Sequence, residues 1–346
     1  MMPAPITFYR QRRAQQELDD RFERRLTYLR ISVTDRCNMR CDYCRPAADA
    51  YRAEPHAQIL RYEEIERIAR QAAALGVSKL RITGGEPLVR RDLPKLVAML
   101  ASVPGITDLS MTTNATLLKR YADDLAKAGL MRINISLDSL NGLRFRKLTG
   151  ADIKPVLEGI KAAQRAGLTP IKLNTVLMRG INAGAGHSEV AELIDFASEH
   201  DATIRFIELM PMKHGMDWDK HYISIDEVLA EASVQRRIDL SPVAQSCNTA
   251  ARYLPLKCGS GKVGFITPMS ERFCDGCNRL RLTADGHLRS CLPGDSELNL
   301  RDLIRGGGSD TEICNLFRRS ALIKPKIGVY GFDKQSEQRS MIHIGG

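Results

Sequence analysis

The chain has 346 residues, of which 43% are hydrophobic and 27% charged, an ordinary globular composition that excludes a fibrous or disordered chain. Its net charge of +10 suits an anionic partner, but aromatics are only 5% and the basic residues are scattered, so a free nucleotide is favoured over a nucleic acid. No apolar run approaches the ~18–20 residues that span a bilayer, so no membrane association is expected.

Residues 1–27 read as an N-terminal extension. Its arginines suggest a targeting peptide, but Glu17, Asp19, Asp20 and Glu23 are foreign to acid-poor transit sequences and no apolar secretory segment is present, so a cytoplasmic address is expected. In a reducing compartment nine cysteines point to metal ligands or catalytic thiols rather than disulfides.

From residue 28 to 238, short apolar runs alternate with longer amphipathic ones, the pattern of βα units around a parallel sheet. Strands are predicted at 28–33, 79–83, 108–112, 132–137, 171–177 and 203–207. Between the first two, Ile65, Ile68, Ala69, Ala72 and Leu75 recur at helical spacing within 61–75 and define one buried stripe. Gly76, Gly129 and Gly167 each follow a helical stretch and precede a strand, as C-terminal caps do. Right-handed crossovers would wind these units into an α/β fold, a partial (βα)6 TIM-like barrel with fewer strands than closure needs. Ligands then gather at the C-terminal strand ends. After 239, Pro242, Pro255, Pro268 and Pro293 punctuate short strand-like pieces, and Gly306, Gly307 and Gly308 precede a helix ending near Arg319. Residues 239–346 are expected to form a C-terminal domain covering the barrel opening.

Directly after the first strand stand Cys37, Cys41 and Cys44, spaced C-x3-C-x2-C. Three thiolates on one 4Fe–4S cubane leave one iron without a protein ligand, whereas proteins that only carry electrons normally supply all four. S-adenosylmethionine (SAM) can chelate that iron through its amino and carboxylate groups, and its reductive cleavage gives methionine and a 5′-deoxyadenosyl radical. A structural zinc with a distant fourth ligand is the alternative. At the end of the next strand, Thr83-Gly84-Gly85-Glu86-Pro87 offers backbone for close approach and a carboxylate acceptor in Glu86. The two motifs, in this order at adjacent strand ends, resemble the radical SAM superfamily. The resemblance implies that Tyr43 stacks near the adenine of SAM. It also implies that the Gly85–Glu86 motif meets the methionyl part, and that Ser136 and Met210 complete the pocket; core packing is the alternative for Met210.

Farther on, Cys274, Cys277 and Cys291 form a C-x2-C-x13-C arrangement. A structural zinc with Cys247, Cys258 or His287 as fourth ligand rivals a second cluster here. Arg279 and Arg281 lie two apart in a strand-like run, so their guanidinium groups share one face while Leu280 and Leu282 take the other. Planar forks of this kind hold phosphate oxygens, and a solvated basic face is the alternative.

With YLRISVTDRCN at 28–38, RITGGEPL at 81–88, RFIE at 205–208, the second cysteine set and the terminal glycines, the chain is similar over nearly its whole length to the GTP 3′,8-cyclases that begin molybdenum-cofactor biosynthesis. That resemblance implies two 4Fe–4S clusters, the second on Cys274, Cys277 and Cys291 with its open iron on the guanine of GTP. It implies a GTP site of Arg30, Arg81, Thr112, Lys172, Asn278, Arg279, Leu280 and Arg281, the leucine through its backbone, with Arg205 as a further pocket candidate. Catalytic roles fall to Arg30, Arg279, Arg281 and a tail of Gly345 and Gly346 threading into the site. SAM is the implied cosubstrate and an external donor supplies electrons. The product, 3′,8-cyclo-7,8-dihydro-GTP, passes to a separate cyclic pyranopterin monophosphate synthase; a homodimer is left open. Two positions depart from the family pattern: Ala115 replaces a glycine and Arg45 a methionine.

Overall fold

Side-chain alternation along short strands sets the architecture of the computed structural model, which describes residues 17–45, 53–184, 186, 188–212, 216–241, 250–259, 261–328, 330 and 339–345. Six strands are parallel neighbours in chain order: β1 (Tyr28–Ser32), β2 (Lys79–Thr83), β3 (Asp108–Thr113), β4 (Arg132–Ser136), β5 (Ile171–Leu177) and β6 (Ala202–Glu208). They differ from the expected segments by at most a residue at either end. Helices α1 (Tyr62–Ala74), α2 (Leu93–Ala101), α3 (Leu118–Lys127), α4 (Gly142–Thr149), α5 (Lys154–Arg165) and α6 (Val190–Glu199) fill the crossovers. The stripe Ile65, Ile68, Ala69 and Ala72 of α1 is fully buried. Gly76, Gly129 and Gly167 take positive φ at the helix-to-strand turns, as expected of caps.

Short helices α7 (Trp218–His221), α8 (Ile225–Leu229) and α9 (Ala232–Gln235) lead to β7 (Arg252–Pro255), β8 (Lys262–Ile266), β9 (Arg279–Leu282), β10 (His287–Arg289) and β11 (Glu297–Asn299). Then come α10 (Leu300–Arg305), α11 (Asp310–Leu322) and α12 (Met341–Ile344). The later strands do not form a separate layer. β8 adds in parallel to β6 with β7 antiparallel beyond it, while β9 adds in parallel to β1 with β10 and β11 outside. A six-stranded parallel core leaves a row of unpaired backbone groups at each edge, and the C-terminal strands satisfy both rows. Residue 239 is thus a change of rhythm along the chain rather than a break in the sheet.

The segment before β1 is also tied in: Leu18 and Leu26 lie in the main core. The Glu64 carboxylate on α1 receives Arg305 Nε of α10 at 2.9 Å, joining the N-terminal and C-terminal halves. Among the described residues no helix is long and apolar enough to cross a membrane.

Candidate functional site

One face of the sheet is apolar and the other cationic. Leu29, Ile31, Leu80, Ile82, Met111, Ile133, Ile135 and Leu173 are buried in the core. Their alternating neighbours Arg30, Arg81, Arg132, Lys172 and Arg205 border a cavity of about 520 Å³, a size suited to small-molecule ligands. Register places Arg281 beside Arg30 and Arg30 beside Arg81, and likewise Lys172 beside Asn134 and Arg205 beside Asn174. In a flat sheet β2 and β6 would lie about 19 Å apart, at ~4.8 Å per strand. Arg30 and Arg81 nevertheless line the same cavity as Lys172 and Arg205, so the sheet curls around it.

Among the described residues bordering the cavity, ten are Lys or Arg and one, Asp138, is a carboxylate. Burial, then repulsion from Arg205 and Arg132, lowers the Lys172 ammonium to about 8. Burial likewise lowers Arg205 and Arg281 to about 10, and Arg30 lies well below its usual range through burial and then Arg281. Arg205 Nε donates to Asn174 Oδ1 at 2.9 Å and Arg81 Nε to Ser110 Oγ at 3.2 Å, bonds that aim the forks. Tyr28 lies 5.4 Å below the Arg81 guanidinium, and Phe273 stands 4.9 Å from that of Arg279. Such a concentration of like charge calls for a multiply anionic ligand.

Cys37, Cys41 and Cys44 occupy the loop after β1 at one side of this cavity. Burial raises all three thiols, Cys44 to about 12. The Cys37 sulfur accepts from Met39 N at 3.4 Å and from Asn114 Nδ2 at 3.8 Å. The glycine pair seats the loop after β2 against this one: Gly85 N donates to Thr34 O at 2.7 Å and Glu86 N to Arg36 O at 2.8 Å. A Cβ on Gly85 would lie 2.4 Å from the Arg36 carbonyl oxygen, in backbone that cannot step aside. Gly85→Ala is therefore expected to lower stability by ~1–3 kcal/mol, read from urea denaturation.

Gly85, Tyr43, Ser136 and Met210 all border the cavity on this side. The Tyr43 hydroxyl donates to Asp138 Oδ2 at 2.7 Å, and the Tyr330 hydroxyl to Met210 Sδ at 3.1 Å. Glu86 does not border it. Its carboxylate is 1% exposed and accepts from Thr113 Oγ1, Asn114 N and Leu88 N, while burial raises it to about 7. These bonds brace the loop after β2 against the end of β3. Ala115 holds a left-handed φ of 61°, and Gly159 opposite leaves room for its methyl group. Arg45 stands close enough to the loop for its charge to act on Cys37 and Cys44.

Cys274, Cys277 and Cys291 border the same cavity, as do Asn278, Arg279, Arg281 and Thr112. Burial raises Cys277, but Arg279 and Lys324 outweigh it and bring the thiol down to about 7. Arg24 Nη1 donates to the Cys274 carbonyl at 2.7 Å, so the N-terminal segment braces this loop. Leu280 points its side chain into the core, 1% exposed, and does not border the cavity. The suggested fourth zinc ligands lie elsewhere: Cys258 is exposed away from the cavity and His287 Nδ1 pairs with Asp285 at 2.9 Å. Cys247 falls outside the described residues. Cys314, on α11, turns to Gln71. Among the described residues no three His, Cys, Asp or Glu side chains gather as a single-ion site requires.

The tail reaches the strand ends. The Gly345 carbonyl accepts from Arg281 Nη1 at 3.0 Å and Thr83 Oγ1 at 3.3 Å, and upstream Arg339 Nη1 spans both oxygens of Asp285 at 2.9 Å. Gly346 is outside the described residues. Sequence reasoning missed Tyr28, Lys79, Arg132, Asn174, Tyr253, Lys324 and Tyr330 as cavity residues. Tyr28 and Lys79 could have been found by stepping two residues back from Arg30 and Arg81, Asn174 by stepping on from Lys172, and Arg132 by stepping back from Ser136. Lys324 carries no such signal.

The profile of the radical SAM superfamily matches residues 31–197, and one described as Molybdenum Cofactor Synthesis C matches 202–328. A Moorella thermoacetica protein named GTP 3′,8-cyclase is 45% identical over 332 residues, covering 95% of this chain and 100% of the relative. Proteins of the same name from Pelotomaculum thermopropionicum and Thermodesulfovibrio yellowstonii are 43% and 42% identical, with the same coverage. Among solved structures, Streptococcus suis SuiB bound to S-adenosylmethionine aligns over 85% of this chain and 68% of that one, with a TM-score of 0.56. At 18% identity that likeness concerns the fold alone. Nearly full-length identity above two residues in five, together with both profiles, places this chain in the GTP 3′,8-cyclase family of the radical SAM superfamily.

Proposed function

We propose that the chain converts GTP to 3′,8-cyclo-7,8-dihydro-GTP, the first step of molybdenum-cofactor biosynthesis, in one cavity between two 4Fe–4S clusters. The observation that carries this reading is the placement of both cysteine trios on the border of one cation-lined cavity. Residues 28–238 would be the curved partial (βα)6 barrel and 239–346 the part that completes it.

The donor sets fit the clusters. Each trio supplies three soft thiols on the border of the one cavity. A zinc holds its sulfurs ~2.3 Å from one point, whereas a cubane spreads three thiolates over three corners. Cys37, Cys41 and Cys44 would hold the first cluster and Cys274, Cys277 and Cys291 the second. When bound, the first cluster and SAM supply the electron transfer and hydrogen abstraction that start the reaction, with 5′-deoxyadenosine and methionine as by-products.

The remaining work is the chain's own. Tyr43, Gly85, Ser136 and Met210 would seat SAM, with Glu86 fixing the loop that carries Gly85. Arg30, Arg81, Lys172, Arg205, Arg279 and Arg281 would clamp the triphosphate, joined by Thr112 and Asn278. The rings of Tyr28, Tyr253 and Phe273, which border the cavity, would help to exclude water from the reacting sugar and base. Hydrogen leaves C3′ of the ribose, C3′ bonds to C8 of guanine, and one electron and one proton complete the product. Anaerobic incubation with GTP, SAM and dithionite is expected to yield 5′-deoxyadenosine and a nucleotide isomer of GTP that elutes separately. Formation of 5′-deoxyadenosine without that isomer would refute the assigned substrate. An external reductant and a downstream cyclic pyranopterin monophosphate synthase are the partners this reading requires.

Lys172 gives the site a pH dependence. Its ammonium, lowered to about 8, is charged below that pH and neutral above it. Affinity for the triphosphate therefore falls as pH climbs through 8, by roughly tenfold if the lost contact is worth ~1.4 kcal/mol. Folding responds oppositely: the unfolded lysine keeps its proton to higher pH, so stability of the free protein rises over the same window. GTP binding measured against pH checks this, and Lys172→Met should flatten the profile.

A further inference from the structure

Lys324, just beyond α11, is 2% exposed, yet its ammonium has no carboxylate within ion-pair distance among the described residues. Its Nζ donates to the Arg279 carbonyl at 2.9 Å and to the Ser290 carbonyl at 2.6 Å. Those acceptors sit two residues after Cys277 and one before Cys291, so one side chain bridges both arms of the second trio. Lys324 itself borders the same cavity as Cys277 and Cys291, so its ammonium stands beside the trio. Two carbonyls solvate a buried ammonium but do not neutralise it, and such a charge is retained where an anion lies against it.

We propose that Lys324 is the built-in counter-charge of the second cysteine trio, a positioning residue that ties its two arms together and offsets the negative charge of the thiolate-held cluster. The inference rests on the two-cluster reading. Hydrogen bonds and charge next to the sulfurs set a cluster's reduction potential and its retention. With the Lys324 charge removed, the reduced and more negative state is disfavoured and the potential falls. A purely structural lysine would leave the potential where it was.

The test uses the full chain with Cys37, Cys41 and Cys44 all changed to alanine, so that bound iron reports on the second trio alone. In this parent, Lys324→Met removes charge and donors, while Lys324→Gln keeps donors and removes only charge. Circular dichroism melts of each apo-protein establish folding. Redox titration followed by electron paramagnetic resonance is expected to show a lower potential in both variants, and chelators to strip their iron ~10-fold faster. An unchanged potential in a folded Lys324→Gln or Lys324→Met protein overturns the proposal and leaves the two-cluster reading intact. No cluster in the Lys324-containing parent overturns both.

Discussion

Cys37→Ala is expected to abolish reductive formation of 5′-deoxyadenosine, a fall of ~10³-fold or more to background. Only three thiols serve the first trio, and Cys37 is half-buried with its sulfur already accepting from Met39 N and Asn114 Nδ2. An alanine there leaves two thiols and a buried gap, and among the described residues bordering the cavity the other cysteines belong to the second trio. The cationic wall is untouched, because Arg30, Arg81 and Lys172 come from strand interiors. GTP binding should thus persist within about twofold, and the iron retained should be that of one cubane, about four per chain. Loss of GTP affinity together with SAM cleavage would mean that the substitution had collapsed the cavity.

Gly345→Ala is expected to divide the two halves of the reaction. Gly345 has φ +70°, and a Cβ there would lie 2.5 Å from Thr83 Oγ1 and 2.8 Å from Ser32 Cβ. The tail must withdraw, breaking the contact between its carbonyl and Arg281 Nη1. Arg281 then loses the partner that aims its fork into the cavity. Misplacement of about 1 Å at a reacting centre costs ~10²-fold, so cyclised nucleotide should fall by that order while SAM cleavage continues uncoupled. The ratio of cyclised nucleotide to 5′-deoxyadenosine, with GTP at saturation, is the direct readout. A normal ratio would show that the tail fills space without serving the chemistry.

Much of this architecture is legible in the residues because burial imposes a period. The strands of the parallel core could be read from runs such as 79–83 and 171–177, whose observed limits are the same, and α1 from its apolar stripe. Both cysteine trios are visible from spacing alone. The edge strands were not, since β10 and β11 are three residues each, too short to carry a period, and their pairing depends on which edges the core leaves open. Glu86 illustrates another limit: a motif names the residue, but only packing reveals that its carboxylate turns to Thr113 and Asn114. Lys324 lies beyond sequence reasoning altogether, because a lone lysine after a helix ordinarily points to water.

The cation layer falls between these cases. Arg30 and Arg81 carry it in the sequence as single charges among apolar neighbours, and the register that stacks Arg281, Arg30 and Arg81 side by side exists only in the folded sheet. A stack of that kind is unfavourable until a polyanion enters, so binding and electrostatic relief are coupled.

The central claim is that one cavity presents the ribose of GTP to chemistry begun at Cys37, Cys41 and Cys44, and its most direct test is an isotope transfer. Anaerobic turnover of GTP deuterated at C3′ is predicted to place deuterium in 5′-deoxyadenosine, with one labelled molecule for each nucleotide cyclised. Cyclised product accompanied by unlabelled 5′-deoxyadenosine would contradict it.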